Sequence, residues 1–520
     1  MQVERFLEHA AQRFPDKTAL VCGERRLRYA ELEQESNRLA HGLLELGVRR
    51  GDRVAVCLEN SVETVVSIFA VWKAGATLMM VNPTTKSEKL AHVLNDSEAA
   101  ALVAAGRKLE SVADSLAQSP HLRVLVAAGE APGQLLPGGA KLASFDELLA
   151  AGGPRDLPPA KRCIDLDLAS LLYTSGSTGT PKGVMLTHLN LVSVTHSIVD
   201  SLENRPEDVI LDVLPLSFGY GLTQVLTVTC VGATLVLERS FVYPQATLQR
   251  MVAERVTGFA MVPTIAAILL QHDLSKHDLR SLRYLTNAGA AIPTEFLVRL
   301  RAQLPQVKLI PMYGQTECIR ISSLPPDQVD VRPDSVGKGM ANQELTLVDE
   351  QGLPVASGET GELVVRGAHV MRGYWKLPEE TERKLRPGPF PGEKVLHTGD
   401  LFRRDPDGWL YFVSRTDDII KTRGEKVSPR EVENVLYTLQ GVAEAVVYGV
   451  ADPVLGQAVK AVVTLKPGAE LGERTVKRHC ADHLEDFMVP KHVEFVAEIP
   501  KTANGKLDKQ ALQAATEEQH

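Results

Sequence analysis

The chain has 520 residues, of which 44% are hydrophobic and 23% are charged, and its formal net charge at pH 7 is −8. A chain of this length and ordinary composition exceeds what one compact core supports, so we expect a globular protein of at least two domains. The acidic balance argues against a nucleic-acid-binding protein, because such proteins usually carry a basic face.

The six cysteines are scattered and form no Cys-x-x-Cys pair, which speaks against structural zinc and against a disulfide framework. The opening stretch, MQVERFLEHAAQRF, carries Glu4, Arg5 and Glu8 and contains no apolar segment of signal-peptide length. We therefore expect a cytoplasmic enzyme.

Helical and strand patterns alternate in the first part of the chain. The first such helix places Leu32, Leu39 and Leu43 on one face and stops at Gly47, a residue typical of helix ends. The predicted elements are a helix at 29–47, a strand at 52–60, a helix at 61–76 and a strand at 77–83, and the alternation returns at 95–130 and 184–290. This order predicts an α/β fold of mostly parallel sheets with helices on both faces.

An apolar stretch at 209–237 contains Asp212 as its only charge and resembles a membrane span in composition. Pro215 and three glycines interrupt it, and fully buried parallel strands also appear as continuous apolar runs. We therefore predict a strand, a turn, a helix and a second strand in a buried α/β unit, and no membrane span.

The pattern changes at about residue 340. Short strands at 344–367 and 407–415, separated by Gly, Asp and Pro turns, predict a small antiparallel or β-barrel-like part. Helical and strand patterns then follow over about a hundred residues, enough for a separate α+β domain. We expect an N-terminal domain at 1–414 and a mobile C-terminal domain at 415–520, joined by only a few residues, which suits a hinge.

The stretch YTSGSTGTPKG at 173–183 is rich in Gly, Ser and Thr and contains one lysine. Closely spaced glycines allow successive backbone N–H groups to point at one anion, and the hydroxyl groups add donors. The stretch does not fit the Walker pattern, because Pro181 occupies the position of the second glycine and Gly183 follows Lys182. We expect a phosphate cradle of a different type.

This stretch closely resembles the signature loop of the adenylate-forming enzymes, which include acyl- and aryl-CoA synthetases, peptide-synthetase adenylation domains and beetle luciferases. Four further motifs of that family occur in the same order, namely MYGQTE at 312–317, HTGD at 397–400, SRTDDIIKTRGEKVSPREVE at 414–433 and PKTANGKLDK at 500–509. The resemblance spans nearly the whole chain. It implies an ATP-dependent carboxylate–CoA ligase that forms an acyl-adenylate, with ATP, Mg²⁺ and coenzyme A as its ligands.

The resemblance implies a nucleotide site. Tyr313 would stack on adenine, Asp400 would accept hydrogen bonds from the ribose hydroxyls, and Arg415 would also reach the ribose. The remaining residues expected to contact ATP or AMP are Thr174, Ser175, Gly176, Ser177, Gly179, Gly289, Ala290, Ala291, Gly314 and Thr316.

The resemblance also assigns catalytic groups. Lys506 would bind the substrate carboxylate and the α-phosphate together, and Lys182 would meet the outgoing phosphates. Glu317 is a hard oxygen ligand suited to Mg²⁺ on the ATP phosphates, with Thr178 as its helper. Carboxylate attack on the α-phosphate needs positioning and charge neutralisation more than a proton shuttle.

Asp417 matches the family's hinge position, about which the small domain swings between an adenylating and a thioester-forming pose. In the second pose Gly424 would face the site, and the basic residues Lys421, Arg423 and Lys426 would meet CoA phosphates. A solvated basic loop, or a surface for an acyl carrier protein, explains the same basic residues.

The acyl pocket is expected to contain Phe218, Tyr220, Gly221, Gln224, Met312 and Cys318. Phe218 stands where coumarate-like CoA ligases have histidine, and Met312 where many relatives have glycine. Bulky side chains there shorten the pocket and favour a flat acid of benzoate or anthranilate type over a long acyl chain.

Four other functions remain open from the sequence. The chain could load a separate carrier protein, act on a medium-chain fatty acid, be a nucleotide-binding sensor without catalysis, or be an oxygen-dependent luciferase. A monomer and a homodimer are both compatible with the sequence.

Overall fold

A computed structural model describes residues 1–130, 132, 139–161, 163–175, 181–423, 425–502 and 505–517. The α-helices in this part of the chain are α1 Arg5–Arg13, α2 Tyr29–Leu46, α3 Val62–Lys73, α4 Ser87–Asp96, α5 Gly106–Ser111, α6 Ala113–Ala117, α7 Phe145–Ala150, α8 His188–Leu202, α9 Gly219–Val231, α10 Pro244–Ala253, α11 Pro263–Leu269, α12 Thr294–Gln303, α13 Pro378–Lys384, α14 Pro429–Thr438, α15 Glu473–His483 and α16 Lys509–Glu517. Short 3-10 helices occur at Gly153–Asp156 and Leu274–Lys276.

The strands, in chain order, are β1 Thr18–Cys22, β2 Arg25–Arg28, β3 Arg53–Cys57, β4 Thr77–Met80, β5 Ala99–Ala105, β6 Val124–Ala128, β7 Lys141–Ser144, β8 Leu168–Ser175, β9 Pro181–Thr187, β10 Val209–Asp212, β11 Thr234–Leu237, β12 Gly258–Met261, β13 Tyr284–Asn287, β14 Lys308–Tyr313, β15 Ser322–Ser323, β16 Ser335–Gly339, β17 Gln343–Val348, β18 Thr360–Gly367, β19 Gly373–Tyr374, β20 Leu385–Pro387, β21 Lys394–Arg404, β22 Leu410–Arg415, β23 Ile420–Thr422, β24 Glu425–Val427, β25 Val442–Asp452, β26 Gly456–Leu465 and β27 His492–Phe495.

The strands β3 to β9 form one sheet, to which β19 adds a short edge, in the order β19-β9-β8-β4-β3-β5-β6-β7. From β8 to β7 the neighbours are parallel, and β9 returns antiparallel beside β8. The α3 helix, whose residues are almost all buried, covers this sheet. The predicted alternation of helices and parallel strands is confirmed.

A second and larger sheet has a parallel half and an antiparallel half. Its strand order is β17-β18-β21-β22-β16-β15-β14-β13-β12-β10-β11-β1-β2, with β20 beside β21. The strands from β1 to β14 in this order are parallel, and the antiparallel strands begin at β15. The expected antiparallel strands after residue 340 are therefore present. In the described residues they do not close into a barrel, because β15 and β16 hydrogen-bond them onto the edge of the parallel half.

The apolar stretch at 209–237 folds as the sequence predicts, with β10, the α9 helix and β11 in succession. The α9 helix is buried over most of its length and ends at Gly232, whose φ of +78° suits glycine. Across the part of the chain that the structure describes, no helix has both the length and the apolar character required to cross a bilayer.

The last hundred residues build a third sheet in the order β24-β23-β26-β25, with β27 parallel to β26. The α14 helix packs on β25, and Ser428 caps its first turn by accepting a hydrogen bond from the Glu431 amide. This sheet lies over the carboxyl-terminal ends of the strands of the parallel half, where Arg430 donates to the carbonyl oxygen of Ile292 at 3.1 Å.

Candidate functional site

Three adjacent parallel strands, β12, β13 and β14, end at the same edge of the large sheet. In open α/β sheets, ligands bind beyond the carboxyl ends of such strands. The loops that follow β13 and β14 contain the segments 288–291 and 314–317, so two of the expected binding segments meet there, and Thr264 lies beside them at the start of α11, after β12. A cavity of about 400 Å³ lies at this edge, between the large sheet and the third sheet.

The strand pair β21–β22 brings the two residues predicted to bind the ribose together. Asp400 and Arg415 are register partners, with their charged groups 3.5 Å apart. The Tyr313 hydroxyl donates to Asp400 Oδ2, and Arg415 Nε donates to Asp417 Oδ1 at 2.9 Å. The ring of Tyr313 packs edge-on against Phe402, with 4.9 Å between centroids.

Asp400 is buried, and burial raises the pKa of its carboxyl although the positive charge of Arg415 opposes the shift. Its Oδ1 atom is buried and accepts no hydrogen bond from any described residue. A buried acceptor without a donor costs free energy, so this atom is suited to a donor supplied by a ligand. The hydroxyl groups of a ribose are donors of that kind.

The segment after β13 approaches other parts of the site closely. Gly289 has φ of +87°, and a Cβ at this position would lie 3.2 Å from Lys506 Cε and 3.4 Å from Phe218 Cζ. The side-chain amide of Asn287 donates to the carbonyl oxygen of Ala290 at 3.0 Å and holds the turn. Gly314 has no space for a side chain either, because its Cβ would lie 2.4 Å from the carbonyl oxygen of Ile319.

Lys506 enters this edge from the last segment of the chain. The carbonyl oxygen of Gly505 accepts from the Thr264 hydroxyl at 2.8 Å, and this hydrogen bond ties the lysine loop to α11. The Lys506 ammonium lies 5.4 Å from the centroid of the Phe218 ring. Burial lowers the pKa of Lys506, and the positive charge of Arg415 lowers it further, while Asp400 opposes both.

A second group of charges surrounds Lys182, on the strand that leaves the 173–183 loop. Lys182 is the register partner of Thr174 across the β8–β9 hairpin. Its ammonium lies 2.9 Å from Glu380 Oε2 and 5.8 Å from the centroid of the Tyr374 ring. The Tyr374 hydroxyl donates to Glu317 Oε1 at 2.6 Å, so the predicted metal ligand is held beside the predicted phosphate lysine.

The donor set fits a magnesium ion held mainly by its substrate. In the described ranges, no cluster of three or more His, Cys, Asp or Glu side chains could bind a metal ion. Mg²⁺ often takes only one or two carboxylates from the protein and completes its octahedron with phosphate oxygens and water. Glu317 offers one such carboxylate at the edge where the phosphate lysine lies.

The residues expected to form the acyl pocket occupy the start of α9 and the end of β14. Phe218 and Tyr220 are in edge-to-face contact at 6.4 Å, and the Tyr220 hydroxyl lies 2.5 Å from the Thr286 hydroxyl. Met312 and Cys318 are buried. Gln224 donates to the carbonyl oxygen of Tyr220 at 3.0 Å. A Cβ at Gly221 would lie 2.5 Å from the carbonyl oxygen of Pro215, so that position faces the backbone.

Five of the predicted residues lie outside the described residues, namely Gly176, Ser177, Thr178, Gly179 and Gly424. Of Ser175, the structure describes only the backbone, at the end of β8. Ala290 and Ala291 line the cavity together with Arg415 and Lys506. Thr316 is partly buried beside Glu317, while Lys421, Arg423 and Lys426 are exposed near the β23–β24 turn.

Four further residues belong to the site and were not predicted from the sequence, namely Thr264, Arg320, Tyr374 and Glu380. Thr264, Tyr374 and Glu380 lie far along the chain from their partners and occur in segments without a distinctive pattern. The sequence does contain one indication of Arg320, because it is the only charged residue in the segment CIRISSL that follows MYGQTE.

Comparison with known proteins identifies two matching family models. The AMP-binding enzyme model matches residues 7–375, and the AMP-binding enzyme C-terminal domain model matches residues 431–506. Feruloyl-CoA synthase of Amycolatopsis sp is 36% identical over 500 residues, which are 96% of this chain and 95% of that protein. A linear gramicidin synthase chain of Brevibacillus parabrevis is 32% identical over 98% of this chain, which spans only 10% of the length of that relative.

Among solved structures, anthranilate CoA ligase AuaEII in complex with anthranoyl-AMP has the same fold. The TM-score is 0.91 at 30% identity, over 100% of this chain and 98% of that chain.

Proposed function

Since the chain belongs to the family of AMP-binding enzymes, we propose that it is an ATP-dependent carboxylate–CoA ligase. The observation that carries the proposal is that Lys506, from the end of the chain, lies in one cleft with the Asp400–Arg415 pair. These three charges surround the place where a carboxylate, an α-phosphate and a ribose would meet.

In the first step, a carboxylate oxygen of the acid attacks the α-phosphorus of ATP. A new P–O bond forms, the bond to the bridging oxygen of the β-phosphate breaks, and pyrophosphate leaves. No proton transfer is required, so the chain's part is to position the reactants and to neutralise charge. The Lys506 ammonium lies where it offsets negative charge on the carboxylate and on the α-phosphate as the transition state forms.

ATP would be held at three places. The buried acceptor of Asp400 takes hydrogen bonds from the ribose, and the ring of Tyr313 offers a face for the adenine. The 173–183 loop, with Thr178 among its hydroxyl groups, and Lys182 receive the β- and γ-phosphates. Glu317 would hold Mg²⁺, which would supply charge neutralisation for the phosphates.

In the second step, the CoA sulfur attacks the acyl carbonyl, a C–S bond forms, and the C–O bond to AMP breaks as the thiol proton is released. We propose that residues 415–520 rotate about Asp417 between the two steps, so that Lys506 leaves the cleft and Gly424 enters it. Lys421 and Arg423 then meet the CoA phosphates.

The acid in this proposal is aromatic. The Phe218 ring lies near Lys506 and packs edge-to-face with the Tyr220 ring, and we infer that the buried side chain of Met312 limits the depth of the pocket. The similarity to feruloyl-CoA synthase and to anthranilate CoA ligase supports the same substrate class. We also propose that the enzyme acts in the cytoplasm, as a monomer or a homodimer.

A second candidate acceptor is the phosphopantetheine thiol of a carrier protein. The observation that favours it is the similarity to linear gramicidin synthase over nearly the whole of this chain. The exposed basic residues Lys421, Arg423 and Lys426 would then face an acidic carrier surface.

The proposal is tested by measuring pyrophosphate release from ATP with a panel of aromatic and aliphatic acids, and then thioester formation with CoA or with a phosphopantetheinylated carrier protein. We expect aromatic acids to support release and CoA to accept the acyl group. If the thioester forms only on the carrier protein, the carrier protein and not CoA is the acceptor. Release with no acid of the panel would overturn the proposed function.

A further inference from the structure

The guanidinium of Arg320 is buried beside Tyr220, one of the residues expected to form the acyl pocket. Arg320 follows the MYGQTE segment and is 3% exposed. Its Cζ lies 4.6 Å from the centroid of the Tyr220 ring, so the guanidinium covers one of the side chains expected to contact the acid.

Arg320 has no counter-ion within the described part of the chain. Its guanidinium nitrogens donate no hydrogen bond there, no carboxylate lies within 4 Å of them, and Nε is fully buried. Burial lowers the pKa of Arg320, and the Tyr220 hydroxyl is the only titratable group among the described residues that opposes this shift. A buried charge without a partner is strongly destabilising, even after the surroundings relax.

The fold compensates another buried cation fully. The side chain of Lys73 is 0% exposed, and its ammonium lies 2.8 Å from Glu33 and 3.5 Å from Glu8. Arg320, in contrast to Lys73, has no carboxylate partner among the described residues, and its position beside the expected acyl pocket points to a ligand as the missing counter-ion.

A chain of contacts links Arg320 with the catalytic lysine. The Lys506 ammonium lies 5.4 Å from the Phe218 ring, Phe218 contacts Tyr220 at 6.4 Å, and Tyr220 lies under Arg320. An acid whose reacting carboxylate meets Lys506 and whose body packs on these two rings would extend toward the guanidinium.

We propose that Arg320 selects an acid with a second carboxylate, so that the substrate is a dicarboxylic acid held between Lys506 and Arg320. This inference rests on the proposed function, since it assigns the far end of the same pocket. A guanidinium presents a planar fork of N–H donors that matches a carboxylate with two parallel hydrogen bonds. An amino substituent on the substrate ring would place its N–H donors against the N–H donors of the Arg320 guanidinium. An alkyl chain would leave the charge of this guanidinium unpaired.

The test compares terephthalate, a benzene ring with carboxylates at opposite ends, with benzoate. For each acid, kcat/KM for pyrophosphate release is measured with the wild-type enzyme, with Arg320→Met and with Arg320→Lys. We expect the wild type to prefer terephthalate by about 10²-fold, because a substrate that leaves a buried charge unpaired is disfavoured by at least this order of magnitude. Arg320→Met should lose this preference and gain activity with benzoate, and Arg320→Lys should retain part of it.

Thermal unfolding provides a readout that does not depend on turnover. Terephthalate should raise the Tm of the wild type, and it should have no such effect on Arg320→Met. Without ligand, Arg320→Met should unfold at the same or a higher temperature than the wild type, because it removes an unpaired buried charge. A merely structural arginine would give a clear loss of Tm instead.

The outcomes separate the two proposals. A wild type that prefers benzoate or 4-methoxybenzoate, or that terephthalate does not stabilise, overturns the role of Arg320. Stabilisation by terephthalate that requires Arg320, without pyrophosphate release from any acid, supports the role of Arg320 and overturns the proposed ligase function.

Discussion

The two ends of the cleft differ in how their charged side chains are paired. The nucleotide end contains Lys182, Glu317, Asp400 and Arg415, and the acyl end contains Phe218, Tyr220 and Arg320. At the nucleotide end, expected charged residues have protein partners: Lys182 has Glu380, Glu317 has Tyr374, and Asp400 has Tyr313 and Arg415. Lys506, which the two ends share, forms no ion pair with a described residue. At the acyl end, Arg320 is buried against the Tyr220 ring and has neither a carboxylate partner nor a hydrogen-bond acceptor for its guanidinium among the described residues. In our proposal, the nucleotide end is organised before ATP binds, whereas the acyl end is completed by its substrate.

This difference indicates where binding energy is gained. Ligand groups at the nucleotide end must replace existing partners, so their net contribution is modest and the site exchanges ligands readily. A carboxylate at the acyl end meets a charge that has already lost its hydration, so the contact contributes strongly to specificity. Variants at the nucleotide end should therefore change KM for ATP, and variants at the acyl end should change which acid is preferred.

The largest effect is expected for Lys506→Ala, which removes the charge that the two ends share. Pyrophosphate release should fall by about 10³-fold, as observed when one electrostatic stabiliser of a transition state is removed. Lys477→Ala is the matched control, because Lys477 belongs to the same C-terminal part of the chain and pairs with Glu473 at 2.6 Å, and neither residue lines the cavity. Thioester formation from supplied acyl-AMP should be spared in Lys506→Ala, and an equal loss of both steps would contradict the two-pose account.

Asp400→Ala should raise KM for ATP by about 10²-fold, because it removes the ribose acceptor and leaves the Tyr313 hydroxyl without its acceptor. Steady-state kinetics with varied ATP measure this, and KM for the acid should change little. Asp407→Ala, in the turn between β21 and β22, is the control for local stability. A variant that changes KM for the acid as much as KM for ATP would show that the two ends are not separate.

His369 makes the acyl end sensitive to acid. It is buried, its Nδ1 lies 3.3 Å from the carbonyl oxygen of Arg320 and its Nε2 lies 3.2 Å from the Ser197 hydroxyl. Burial lowers its pKa from 6.5 to about 4. In the unfolded chain the imidazole binds a proton below about pH 6.5 while the folded protein resists it, so stability is lost as the pH falls between these values.

Urea unfolding at pH 7 and pH 5 measures this effect. The wild type should lose free energy of unfolding on the order of 2 kcal/mol more than His369→Gln between these two pH values. The same pH dependence in both proteins would contradict this account, because it would show that the His369 imidazole binds a proton as readily in the folded protein as in the unfolded chain.

The smallest effect is expected for the ion pair between Lys182 and Glu380, which the phosphates of ATP must separate. Glu380→Gln should lower KM for ATP by about two- to fivefold, because a partly exposed ion pair contributes up to about 1 kcal/mol. Glu379→Gln is the matched control, since Glu379 is exposed and its nearest cation, Arg383, is 3.9 Å away. An increase in KM for Glu380→Gln would mean that Glu380 positions Lys182 and does not compete with phosphate.

Short motifs specify the residues expected at the nucleotide end, and the roles of these residues in binding ATP stay predictions. The family assignment is confirmed, and Asp400, Arg415 and Lys506 lie together although they come from three motifs. The alternation of strands and helices was also predictable, since a buried parallel strand and an amphipathic helix each leave a local pattern. The antiparallel strands after residue 340 extend the large sheet and do not close a barrel, which local patterns could not reveal because they do not show which strand edges meet.

The acyl end was less predictable for the same reason. Phe218, Tyr220 and Met312 were identified as pocket residues, and their role in substrate binding stays a prediction. The absence of a counter-ion for Arg320 cannot be detected in a sequence, because it depends on which described side chains from α9, β14 and their neighbours come within 4 Å. Tyr374 and Glu380 were missed because their partners lie 57 and 198 residues away along the chain.

The central claim is that one cleft, completed by Lys506, converts a carboxylic acid into an acyl-adenylate and then a thioester. A single-turnover reaction with excess enzyme, ATP, Mg²⁺ and terephthalate, quenched over time and analysed by mass spectrometry, tests it most directly. We predict that acyl-AMP and pyrophosphate appear in equal amounts without CoA, and that adding CoA converts the adenylate to thioester with release of AMP. Release of ADP and phosphate, or thioester without a preceding adenylate, would contradict the account.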